Sequence, residues 1–161
     1  MTMYRAMIAT IALSLLSLPA HAQRPDSAMV GAWSGMAHIT VDWTQQKMLA
    51  VRVAIYADGS ITGTVGDAAL IDARMRTNRT VLERAARLGS DYIIEAELGG
   101  AIIRAEGIQR ASVRIPLNWK DGVFSGSIAT SGSYDGGRET MKLMASELVL
   151  RRALPIISSI R

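Results

Sequence analysis

The chain of 161 residues has no cysteine. That excludes disulfides, a lipid-modified cysteine and any metal site built on thiolates. A domain without disulfides depends on its core for stability. Aromatic residues are 5% of the chain, too few for the two interfacial girdles of a transmembrane barrel. Neither sign of charge is in large excess. A formal charge of +4, lowered by one when Arg5 is removed with the N-terminal segment, is too small to argue for nucleic acid without a clustered basic face. Histidine is limited to His21 and His38.

The one long apolar run is at the start. Met1-Thr2-Met3-Tyr4-Arg5 precedes an apolar stretch from Ala6 to Leu18, followed by Pro19-Ala20-His21-Ala22. A basic start, a short apolar core and an Ala-x-Ala end describe a secretory signal peptide cut after Ala22. The run is shorter than the roughly 20 residues that span a bilayer, so no transmembrane segment is expected after cleavage. The expected address is periplasmic or secreted. The resulting division is signal peptide 1–22, flexible start 23–29, one folded domain 30–152 and an apolar tail 153–161.

Beyond the start, hydrophobicity alternates with period two. From Trp33, one face reads Trp33, Gly35, Ala37, Ile39, Val41, Trp43, and the other Ala32, Ser34, Met36, His38, Thr40, Asp42. Asp58-Gly59 and Asp121-Gly122 signal hairpins. A three-residue loop at Ala57-Asp58-Gly59 sets Ile55 opposite Ile61, Val53 opposite Gly63 and Val51 opposite Val65, which keeps one face apolar. The second hairpin pairs Trp119 with Phe124 and Leu117 with Gly126. A Gly99-Gly100 turn would pair Leu98 with Ala101 and Glu95 with Arg104. Ala69, Ile71, Ala73 and Met75 read as one face of a strand. Pro116 needs an edge or a bulge, and the phase from Ala145 to Glu147 suggests a bulge. Thr80-Val81-Leu82-Glu83 is a capping box, with Gly89 as a stop, so a short helix is expected near residues 80–88. Its apolar side would dock over one open end of the barrel. The predicted fold is therefore all-β: an antiparallel meander barrel of about eight to nine strands with one short helix.

Gly31-Ala32-Trp33 resembles the Gly-x-Trp motif on the first strand of the lipocalins, and Arg151-Arg152 falls where lipocalins place an Arg that packs across that Trp. Residues Ala57 to Thr64 are similar to the second hairpin of avidins. The resemblance, to the calycin superfamily, implies a barrel. Avidins carry a Tyr directly after the Gly-Thr pair where this chain has Val65, so biotin binding is not implied.

Catalytic chemistry is thinly supplied. After signal removal His38 is the only histidine for a triad, and it alternates onto the polar face. Glu95 and Glu97 share a face, either as an acid/base pair or as solvated side chains. The stretch from Ser131 to Gly137 lacks the lysine of a phosphate-binding loop. No catalytic residue, metal ligand or cofactor is assigned. Trp33, Trp43, Trp119 and Phe124 either line a pocket or plug the barrel. Arg84 and Arg87 sit among Arg74, Arg76 and Arg79 around the helix, facing either an acidic ligand or water. The expected function is non-enzymatic binding. The first expectation is a small apolar or amphipathic ligand in the barrel mouth; the alternative is an exported protein-binding module, such as a hydrolase inhibitor, that makes contact through its loops.

Overall fold

Residue type separates the two faces of the first strand, and the fold buries one of them. β1 is Gly31–Ile39, with Trp33, Ala37 and Ile39 buried and Met36 and His38 exposed. The computed structural model describes residues 25–42, 44–77, 89–109, 112–131 and 143–153. The other strands are β2 (Met48–Ile55), β3 (Ile61–Val65), β4 (Ala68–Thr77), β5 (Tyr92–Gly99), β6 (Ala101–Ile103), β7 (Ile108–Gln109), β8 (Ser112–Lys120), β9 (Val123–Ser131) and β10 (Met144–Arg152).

Eight strands close into a barrel in the order β1-β10-β9-β8-β5-β4-β3-β2, with every neighbouring pair antiparallel. The chain winds as a meander, interrupted between β5 and β8 by the two-stranded β6–β7 excursion. Closure leaves no strand edge among the eight open to another chain.

Two hairpins take the register that their alternation demanded. Ile55 faces Ile61, Val53 faces Gly63 and Val51 faces Val65. The turn is held by the Asp58 carboxylate, which accepts from the Ser60 amide at 2.9 Å and its hydroxyl at 2.6 Å, while Gly59 adopts φ 83°. Trp119 faces Phe124 and Leu117 faces Gly126. The expected bulge near Ala145–Glu147 is present: the register of β10 shifts between Ala145 and Leu148, and Glu147 has φ 56°.

Other expectations need correction. The hairpin across Gly99-Gly100 does not form as a ladder. β5 is paired by β4 on one side and β8 on the other, so it has no edge left for Ala101–Ile103. That segment instead turns at Gly100, with φ 97°, pairs with β7, and runs into a 3-10 turn, Arg104–Glu106. Glu95 consequently never meets Arg104. β4 changes phase at Asp72, φ 51°, so Ala68, Leu70, Ala73 and Met75 are buried while Ala69 and Ile71 face out. Pro116 lies within the closed sheet rather than at an edge, where the β8–β9 ladder skips Ile115 and Pro116. β1 ends at Ile39 rather than running on to residue 43. The expected flexible start contains a 3-10 turn, Ser27–Met29, whose Met29 is buried. The helix expected near 80–88, and with it the docking of Leu82, lies outside the described residues.

The core fills the barrel axis. Leu49, Val51, Ile94, Ile115, Leu117 and Leu150 each expose 0% of their surface, which leaves no water-sized space against them. One end is capped by β6: Ile102 and Ile103 are buried, and the Ile102 carbonyl accepts from the Asp67 amide at 3.0 Å. The Arg104 amide donates to the Asp67 carboxylate at 3.0 Å, and Thr44 donates to Glu106 at 2.9 Å. These bonds tie the excursion to the β3–β4 turn and to the chain after β1.

A Cβ added at Gly35 would overlap the Val149 carbonyl oxygen on the seam strand, and one at Gly126 would overlap the Pro116 carbonyl. Backbone cannot yield as a flexible side chain does. Gly35→Ala is expected to lower stability by about 1–3 kcal/mol in denaturant unfolding, with an unchanged m-value.

Candidate functional site

The end of the barrel opposite β6 is built around Trp33. Its ring meets Phe124 at 5.0 Å and Trp119 at 5.4 Å, both edge-to-face, and Trp119 lies 4.5 Å from Phe124. These geometries suit the ring quadrupoles. The β8–β9 hairpin delivers Trp119 and Phe124 as direct partners, while β1 delivers Trp33 from across the bore. The Trp33 indole N–H donates to the Met29 carbonyl at 2.8 Å, so the 3-10 turn satisfies the one polar atom the ring buries. Asp26 caps that turn by accepting from the Ala28 amide.

Arg152, at the end of β10, completes the arrangement. Its guanidinium carbon lies 4.8 Å from the Trp33 ring centroid. The same group donates to the Ala28 carbonyl at 2.7 Å and the Val30 carbonyl at 3.1 Å. One side chain thus ties the last strand to the turn that precedes the first, through a cation–π contact and two charge-assisted hydrogen bonds. Three of the residues expected to bind ligand, Trp33, Trp119 and Phe124, are therefore together, and they close this end. Trp43, Arg84 and Arg87 lie outside the described residues.

The outer wall holds the charged groups. Glu95 is bound by Arg76, at 2.9 and 3.1 Å, and by Arg114 at 3.0 Å. Its companion Glu97 is exposed. The Arg76 hydrogen bond, then the charges of Arg76 and Arg114, hold the Glu95 carboxyl below the usual carboxylate range despite a small opposing cost of burial. The Ser60 hydroxyl and amide do the same for Asp58. Among the described residues, the buried polar side chains are those of Thr44, Ser90 and Thr130, all hydroxyls. Thr130 closes the β9–β10 connection, donating to the Leu143 carbonyl at 3.2 Å and accepting from its amide at 3.3 Å.

One feature escaped sequence reasoning. Met36, Met48, Met144 and Val149 are each 38–50% exposed, and they lie on the outside of β10, β1 and β2. Met36 faces Val149 across the seam and His38 faces Met48 across β1–β2. The signal was present: Met36 alternates with Ser34, His38 and Thr40 on a face read only as polar. None of the family models, curated proteins or solved structures compared with this chain matches it.

Truncating the aromatic hub, Trp33→Ala, is expected to cost about 3–5 kcal/mol in denaturant unfolding. Arg152→Gln should cost less, about 1–3 kcal/mol. In an NMR titration Glu95 should titrate below an ordinary carboxylate, and Arg76→Gln should raise its midpoint. Because the folded value is depressed, the stability from this pair is present above about pH 4.3, the unfolded value. It is lost as pH falls through the lower folded value. All three side chains are well exposed, so its size is below about 1 kcal/mol.

Proposed function

We propose that this protein is an exported, non-enzymatic barrel of the calycin type that holds another exported protein against its outer surface. The observation that carries this reading is the contrast between the two sides of the wall. The described inward apolar side chains of the core expose at most 9% of their surface, while large apolar side chains stand 38–50% exposed on the outside of β10, β1 and β2. Contiguous apolar patches exposed on a soluble domain mark interaction surfaces. The alternative, a small apolar ligand in the bore, is less favoured because Trp33, Phe124 and Met29 fill one end and Ile102 and Ile103 the other.

The calycin assignment draws on the Arg152–Trp33 contact, which is the pairing that the Gly-x-Trp motif implied, and on the eight-stranded closed meander. The non-enzymatic reading draws on the residue types available. His38 stands on the outer wall beside Met36 and Met48, and Glu95 is engaged by two arginines. Export draws on the pattern of residues 1–22.

Two measurements separate the readings. Long-chain fatty acids and an apolar fluorophore should leave the melting temperature unchanged. A saturable rise would instead establish a site in the bore, because a ligand of the folded state stabilises by mass action. Val149→Asp, on the outer face, should change stability by no more than about 0.5 kcal/mol. The same substitution should abolish co-purification of a partner from the exported fraction, while Glu97→Lys on the opposite wall should leave it intact.

A further inference from the structure

We infer that Met36, His38 and Met48 form a three-ligand site for a single soft monovalent cation, Cu(I) or Ag(I), on the outer face of β1 and β2. The inference rests on residue types and register, and it does not depend on the partner reading above.

The β1–β2 ladder runs without a bulge from Gly31 opposite Ile55 to His38 opposite Met48. The Ile39 amide donates to the Lys47 carbonyl at 2.8 Å, so residues 39 and 47 are a hydrogen-bonded pair. His38 and Met48 then occupy the adjacent non-hydrogen-bonded position, where the two backbones come closest, with Cα atoms about 4.5 Å apart. Met36 precedes His38 by two residues on the same face, about 7 Å along the strand. Met36 and Met48 are diagonal neighbours at about 7–8 Å, within reach of long side chains. All three separations can be bridged by one ion. Metal–sulfur and metal–nitrogen bonds of about 2.0–2.3 Å supply part of the distance. The flexible methionine side chains supply the rest.

The donor chemistry selects the ion. Two thioethers and one imidazole are soft to borderline ligands, suited to Cu(I) and its redox-inert analogue Ag(I) rather than to cations that prefer oxygen. The chain has no cysteine, and among the described residues no group of three or more His, Cys, Asp or Glu could hold a metal ion. The distribution of methionine points the same way. Met29 and Met75 are in the core, as is usual for this residue, whereas Met36 and Met48 are 46% and 43% exposed beside the imidazole.

Met144 provides an internal control. It is 50% exposed on the same outer wall, but it sits on β10, beyond His38 from both other methionines. Its amide carbonyl is bonded to Thr40, so its strand position is fixed. Met48 and Met144 lie on strands two spacings apart, about 9–10 Å before any offset along the strands. No single ion reaches Met36, Met48 and Met144 together.

The test is titration of the purified protein with Ag(I), followed by methyl and imidazole NMR. One equivalent should shift the ε-methyl signals of Met36 and Met48 and the His38 ring signals together, while the Met144 methyl stays in place. Cu(I) affinity, measured anaerobically by competition with a chromogenic chelator, should fall more than about tenfold in Met36→Leu, Met48→Leu and His38→Ala. Met144→Leu should leave it unchanged. Absence of any shift at one equivalent would overturn the site. So would equal shifts of all three exposed methyls, which would mean silver binding to thioethers independently, or affinity that survives His38→Ala.

Discussion

Everything in this fold depends on the seam at which β1 meets β10, the first strand and the last. Without that pairing the sheet would have two exposed edges, each a template for aggregation. The seam is locked where its two ends come together. Arg152 lies over Trp33 and donates to two carbonyls of the turn before β1. Trp33 in turn is the ring against which Trp119 and Phe124 pack. Closure also needs the strands to approach and bend. Gly35 lets the Val149 carbonyl come close, and the bulge at Glu147 takes up the extra residue in β10.

Eight strands enclose a bore only about wide enough for side chains. Here large residues fill it from both ends, with an aromatic trio at one and Ile102 and Ile103 at the other. Met36, Met48, Met144 and Val149 stand on the outer wall, apart from that core.

That outer face shows where alternation stops being informative. Alternation assigned Met36 and His38 correctly to the solvent side. What alternation could not supply was the neighbour across the ladder, because Met48 follows a connection whose length does not dictate register. Once β1 and β2 pair, a histidine and two methionines that are separate in sequence share one patch.

Local order decided the tight hairpins. The β2–β3 and β8–β9 registers follow from the Asp-Gly turns and from keeping apolar residues on one face, and both stand as read. Tertiary structure decided where local logic had competitors. The Gly99-Gly100 hairpin was consistent on its own terms, yet β4 and β8 take both sides of β5. A strand has two edges, and closure uses both. The same competition chose the partners of Glu95, which meets Arg76 and Arg114 on the neighbouring strands rather than the nearby Arg104. The phase change at Asp72 was not legible in the same way, because Ala69, Ile71, Ala73 and Met75 alternate without a break across it, whereas the pattern from Ala145 to Glu147 does break. The sequence by itself thus determined the all-β class, the faces of the strands and the short-range turns, all of which are written in nearest neighbours. Which strands became neighbours, whether the bore is filled and what shares the outer wall are properties of closure, and only the folded chain determines them.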